Sequence, residues 1–108
     1  MNPTTNRSWP IRVSDRRGNS IYITWERWEH ALAHPGMENG SLDAVLETIR
    51  LGTRKQDKYQ ADKFTYTMES FDLPEPYTHT VVVVKMGWQG NPPEQNNFVL
   101  TAYLVQKW

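Results

Sequence analysis

Two hydrophobic periods divide the chain. Up to Gly52 the apolar residues of the longer segments recur at helical spacing, and from Phe64 onward they alternate with polar ones. In Thr24 to Pro35, TWERWEHALAHP, a step of about 100° per residue places Trp25, Trp28 and Leu32 on one side and Arg27, His30 and His34 on the other. Thr24 is a good N-cap, and Pro35-Gly36 ends the helix because proline disfavours helical geometry in the residue before it. Both tryptophans are therefore expected in the core. Ser41 caps a second helix in which Leu42, Val45, Leu46 and Ile49 recur at i, i+3, i+4 and i+7, with Asp43 in the first turn and Gly52 closing it. Ahead of both helices, Ile11 and Val13, a tight turn over Asp15 to Asn19, and Ile21 to Ile23 predict a β-hairpin. Met1 to Trp9 reads as a loose polar arm, with Trp9-Pro10 pinning its end to a body that spans residues 11–108.

The second half predicts three strands. Phe64, Tyr66 and Met68 share one face while Thr65, Thr67 and Glu69 share the other, after a solvated basic connection from Thr53 to Asp62. Asp72 to Pro76 forces a turn, and Thr78 to Met86 holds four consecutive valines, as in a central strand covered on both faces. Gly87 to Asn97 is expected to be a long loop, and Phe98 to Val105 the last strand. Strict alternation sends Phe98, Leu100, Ala102 and Leu104 toward the helices, and Val99, Thr101, Tyr103, Val105 and Lys107 to an open face. The expected fold is α+β: an N-terminal hairpin and two short helices packed on one face of a three- to four-stranded antiparallel sheet.

Composition narrows the function classes. With 108 residues, twelve Lys plus Arg balance twelve Asp plus Glu, so any anion site has to be local rather than a property of the whole surface. There is no cysteine, which removes disulfides, thiolate catalysis and thiolate metal ligation. No run approaches the ~20 apolar residues of a membrane span, and Met1 to Pro10 lacks the apolar run of a secretory signal, so a cytoplasmic protein without membrane partners is expected. No nucleophile elbow, P-loop or dinucleotide glycine pattern occurs, and no cofactor is assigned.

Histidine ordinarily titrates near neutrality, so His30 and His34 beside Arg27 are the strongest acid/base and phosphate-handling candidates. The competing reading is a solvated helix end. Their i, i+4 spacing also fits zinc, with His79 or a carboxylate as third ligand, but no Glu lies between them as in a zincin helix, and no metal site is assigned. Lys85 follows the valines and is either a strand-end charge or a phosphate clamp. Thr101 and Tyr103 emerge on the expected open face, although their strand propensity alone explains them. Arg50, Arg54, Lys55, Lys58 and Lys63 form either a solvated surface or a phosphate track, with Tyr59, Tyr66 and Trp88 as stacking partners.

W-x-x-W-x-H followed by H-P, a second short helix, a tyrosine-bearing strand, a valine strand ending in Lys and a final FVLTAY together resemble a known group. They are similar to the small phage-associated nuclease-like domains grouped with barnase, EndoU, the tRNA-cleaving colicins and the RelE-type toxins, over roughly Ile21 to Lys107. The resemblance implies two helices followed by a four-stranded antiparallel sheet, and metal-independent RNA cleavage. One group would take the 2′-hydroxyl proton, another would protonate the leaving 5′-oxygen, and a cation would steady the phosphate. It matches His30 to the helical histidine, Lys85 to the strand cation, and Thr101 with Tyr103 to the polar pair on the last strand.

The expectation is an RNA endonuclease, toxin-like or phage-derived. His30 would carry protons, Lys85 and Arg27 clamp phosphate, and Thr101, Tyr103 and His34 support them, with Arg54, Lys55, Lys58, Tyr66 and Lys107 holding RNA. RNA and a neutralising antitoxin or other protein are the expected partners. The alternative is a non-catalytic module of the same fold that holds a protein or single-stranded nucleic acid.

Overall fold

A computed structural model describes residues 8–38 and 41–107. Most of the expected arm, up to residue 7, lies outside the described residues. At its end Trp9 is half-buried against the core and meets Trp25 edge-on, with ring centroids 5.3 Å apart. Trp25 is thus not the core residue expected; it stays 38% exposed, while Trp28 is fully buried. It lies at the first position of the helix, where the Trp9 indole covers one side of it.

The hairpin forms as expected from β1 (Ile11–Ser14) and β2 (Ser20–Ile23). Its turn is organised by Asp15, whose Oδ1 accepts from the backbone N–H groups of Arg17 and Asn19, both at 2.9 Å. Helix α1 (Trp25–Leu32) starts where Thr24 Oγ1 accepts from the Arg27 N–H at 3.2 Å. It ends at Leu32, before the second histidine, so His30 and His34 do not share one helix face. Helix α2 (Ser41–Leu51) buries Leu42, Val45 and Ile49. Gly52 follows, where an added Cβ would lie 2.4 Å from the Thr48 carbonyl oxygen and 2.8 Å from that of Thr67, so the helix enters the sheet through a gap only glycine fits.

The sheet is larger than expected, and mixed. Residues Thr53–Gln56, read as part of a loop, form β3 and pair with β4 (Lys63–Glu69). β4 pairs with β5 (His79–Lys85), which in turn pairs with the last long strand. The expected loop folds into a ribbon of β6 (Trp88–Gln89) and β7 (Glu94–Gln95), and β8 (Asn97–Val105) is the last strand in the chain. Strand order is β1-β2-β8-β5-β4-β3, and the hairpin joins through a parallel contact of β2 with β8 at Ile21↔Asn97 and Tyr22↔Phe98. Local pattern shows strands one at a time; this non-local pairing made the three- to four-stranded antiparallel expectation too small.

Register also corrects the alternation in β8. Val83 pairs with Thr101 but Val84 pairs with Val99, so Leu100 is an extra residue in a bulge. Beyond it the pleat changes phase: Val99 turns into the core at 1% exposure, while Phe98 moves to the outer face beside Tyr22 and Lys85.

The sheet curls over its core. Tyr66 of β4 donates to Asp15 Oδ2 at 2.6 Å, although β1 and β4 would lie roughly 19 Å apart in a flat sheet of this order. Inside the curl, Trp28 and Ala31 of α1 and Leu42, Val45 and Ile49 of α2 meet Tyr66, Val82, Val84, Val99, Ala102 and Leu104. Among the described residues the outer face carries no helix, and there Val81 and Val83 are sheltered by their cross-strand partners Thr67 and Tyr103, and Thr65 and Thr101.

Candidate functional site

The outer face is organised in rows that cross the strands. One row reads Thr53, Thr67, Val81, Tyr103; the next reads Lys55, Thr65, Val83, Thr101. Beyond Phe98 the β8 edge that faces β2 has no strand partner among the described residues, and α1 lies against β8. The chain leaving α1 bends at Gly36, whose φ of +81° suits glycine alone and where an added Cβ would come within 2.7 Å of the Tyr77 ring and 3.0 Å of Leu104. His34 opens this turn, its carbonyl accepting from the Met37 N–H at 3.2 Å, and its side chain reaches the outer face. Its Nε2 lies 3.2 Å from Thr101 Oγ1, and its ring is 5.8 Å from that of Tyr103.

An imidazole, an alcohol and a phenol therefore meet on a solvent-accessible surface. Lys85 is exposed on the same face, two residues along β5 from Val83, the register partner of Thr101. Its Nζ is 3.8 Å from Asp62 Oδ2, a weak and half-exposed ion pair that an anion can replace. Beyond Tyr103, Lys55, His79 and Lys107 line a cleft of about 460 Å³ together with Thr67 and Glu69.

Not every expected site residue arrives here. His30 stays exposed on α1, and among the described residues its side chain has no hydrogen bond or ion pair; Arg27 is half-buried in the first turn of the same helix. The early end of α1 separates them from His34. Lys58 lies in the β3–β4 loop with its Nζ 6.0 Å from the Tyr59 ring centroid, outside the rows. Arg54 and Tyr66 are on the inner side of the sheet. Arg54 sits 4.4 Å over the Phe64 ring, and Tyr66, at 1% exposure, cannot stack on a base. Alternation grouped Tyr66 correctly with Phe64 and Met68, whereas Arg54 was expected in a solvated connection and lies instead in β3 opposite Tyr66; a basic or aromatic residue does not reveal from sequence which face is covered.

Tyr66 and Asp15 form a structural pair. Burial, followed by the Asp15 carboxylate, pushes the Tyr66 phenol above its ordinary value, so it remains a hydrogen donor. For Asp15 burial works upward, but donation from Tyr66, Asn19 and Arg17 outweighs it and holds the carboxyl below its ordinary value. Among the described residues, no group of three or more His, Asp or Glu side chains is arranged to share a metal ion, so His30, His34 and His79 do not form the zinc set their spacing allowed. His79 instead faces Thr78 Oγ1 at 2.7 Å.

Sequence reasoning missed Arg12, Tyr22 and Phe98 on the outer face. Tyr22 was legible, since it alternates with the buried Ile21 and Ile23. Phe98 was not, because the bulge at Leu100 inverts it. Compared with known proteins, the chain matches no family model, no curated relative and no solved structure.

Proposed function

We propose that the outer sheet face cleaves RNA without a metal ion, with His34 as the proton carrier. The observation that carries this reading is the meeting of His34, Thr101 and Tyr103 on the face that also bears Lys85. In the reaction the 2′-oxygen bonds to phosphorus as its proton passes to a base, and the bond to the 5′-oxygen breaks as that oxygen gains a proton. The products are a 2′,3′-cyclic phosphate and a 5′-hydroxyl. His34 serves one of these transfers, and the Thr101 hydroxyl holds its ring in orientation. The Tyr103 phenol donates toward the phosphate or the leaving oxygen, and Lys85 neutralises charge that gathers on the phosphate oxygens. His30, the helical match from the resemblance, gives way to His34 because it is the latter that meets Thr101 and Tyr103 of β8.

The test is incubation of total RNA with purified protein in chelator, with the ends of the products analysed. Cleavage leaving cyclic phosphate ends, and lost in His34→Ala, is expected. Intact RNA at micromolar protein, or full activity in His34→Ala, overturns the reading. RNA retained but never cut would select the non-catalytic alternative, which the aromatic residues on the same face favour.

A further inference from the structure

A third row on the outer face lies next to that of Thr101 and runs through Arg12, Tyr22, Phe98, Lys85 and Lys63, crossing β1, β2, β8, β5 and β4 in register. Its centre is aromatic: the Tyr22 and Phe98 rings have centroids 6.0 Å apart at an interplanar angle of 36°. The Tyr22 ring is fixed, since its hydroxyl donates to Asn96 Oδ1 at 2.8 Å and the Arg12 guanidinium lies 5.0 Å over its centroid. Lys63 and Lys85 stand directly opposite each other, a like-charge pairing that costs stability in a sheet, and which the contact of Lys85 with Asp62 and the attraction of Lys63 to the exposed Asp57 offset in part. Two cations held side by side, next to a pair of rings, are what a nucleotide's phosphate and base require together.

We infer that this row is a nucleotide subsite which stacks one base of single-stranded RNA on Phe98 and holds a neighbouring phosphate between Lys63 and Lys85. The inference rests on the cleavage reading for the identity of the strand. Neighbouring rows are about 7 Å apart along a strand, so the seat lies beside the scissile position at Thr101. Double-stranded RNA is refused because its paired bases are stacked on one another and cannot reach a flat sheet. The rings offer faces rather than hydrogen-bonding edges to the base, so this subsite is tolerant of sequence.

The experiment measures binding of a short, unstructured 2′-O-methyl oligoribonucleotide, which lacks the attacking hydroxyl, to the wild-type chain and to Phe98→Leu and Phe98→Tyr. Phe98→Leu is expected to weaken binding about tenfold and Phe98→Tyr to restore it, with thermal melts matched to show that each variant folds. Removing one base at a time from the oligonucleotide should reveal a single position that matters to the wild type and not to Phe98→Leu. Lys63→Gln should lower the slope of log affinity against log salt by about one. Equal binding by wild type and Phe98→Leu, or equal binding of a duplex, overturns the subsite. Intact RNA in the cleavage assay together with Phe98-dependent oligonucleotide binding would sink the nuclease and leave the subsite standing; cleavage that is unchanged in Phe98→Leu would do the reverse.

Discussion

Tyr66 and Tyr103 sit on neighbouring rows of one sheet and do opposite work. Tyr66 points into the curl, is sealed from water and spends its hydroxyl on Asp15, which ties β4 to the hairpin turn. Tyr103 points outward on β8, half-exposed, beside a histidine delivered from another element. The side-chain chemistry is the same, so the difference lies in what covers each face. The inner face is where substitutions should change stability, and the outer face is where they should change chemistry.

The sharpest test of that division is His34→Ala, which should reduce RNA cleavage by ~10²–10⁴-fold while leaving stability within ~0.5 kcal/mol. A large loss of melting temperature would assign His34 to the architecture instead. Tyr66→Phe should show the reverse pattern: unfolding in urea becomes easier by ~1.5–3 kcal/mol, because a donor to a carboxylate is removed, with cleavage per folded molecule unchanged. The same pair gives stability a pH dependence at both ends. An unfolded Asp15 takes up its proton near 3.8 while the folded one holds out to lower pH, so stability falls as pH drops below that value, and Asp15→Asn removes this limb. An unfolded Tyr66 loses its proton near 10.0 while the folded one keeps it, so stability also falls as pH rises above that value, and Tyr66→Phe removes that limb. Acid and alkaline melts insensitive to both substitutions would show the pair to be incidental.

Gly36→Ala crosses the division. An L-residue at φ +81° costs ~1–2 kcal/mol, and its Cβ would lie 2.7 Å from the Tyr77 ring, so both the melting temperature and the cleavage rate should fall as His34 is displaced. Loss of stability with full activity would mean that the position of His34 is not set by this bend. The smallest effect has the opposite sign. Thr80 is buried on the inner face and, among the described residues, its hydroxyl has no partner, so Thr80→Val should stabilise the fold by ~1 kcal/mol without touching cleavage.

Local structure was largely legible in the chain. Thr24 announced its helix, Ile21-Tyr22-Ile23 its strand, and the run of valines the strand at the middle of the sheet. What pairs with what was not. The joining of β2 to β8 depends on Asn97, whose Nδ2 donates to the Ser20 carbonyl at 3.0 Å across 77 positions of sequence, and no period encodes such a partner. The candidate site shows the same limit. Thr101 and Tyr103 followed from alternation alone, whereas the choice of His34 over His30 turns on a helix that stops at Leu32, before its proline.

The extra residue at Leu100 lets one strand serve two purposes. With an uninterrupted pleat, Thr101 and Tyr103 would share their side with Val99, and the Phe98 ring would be committed to the interior. Slipping the count by one puts hydroxyls and a ring on the same surface while a valine seals the space beneath. Were Leu100 instead to take a regular place opposite Val84, the strand's composition would not change at all, yet this working surface would turn inside out at one end.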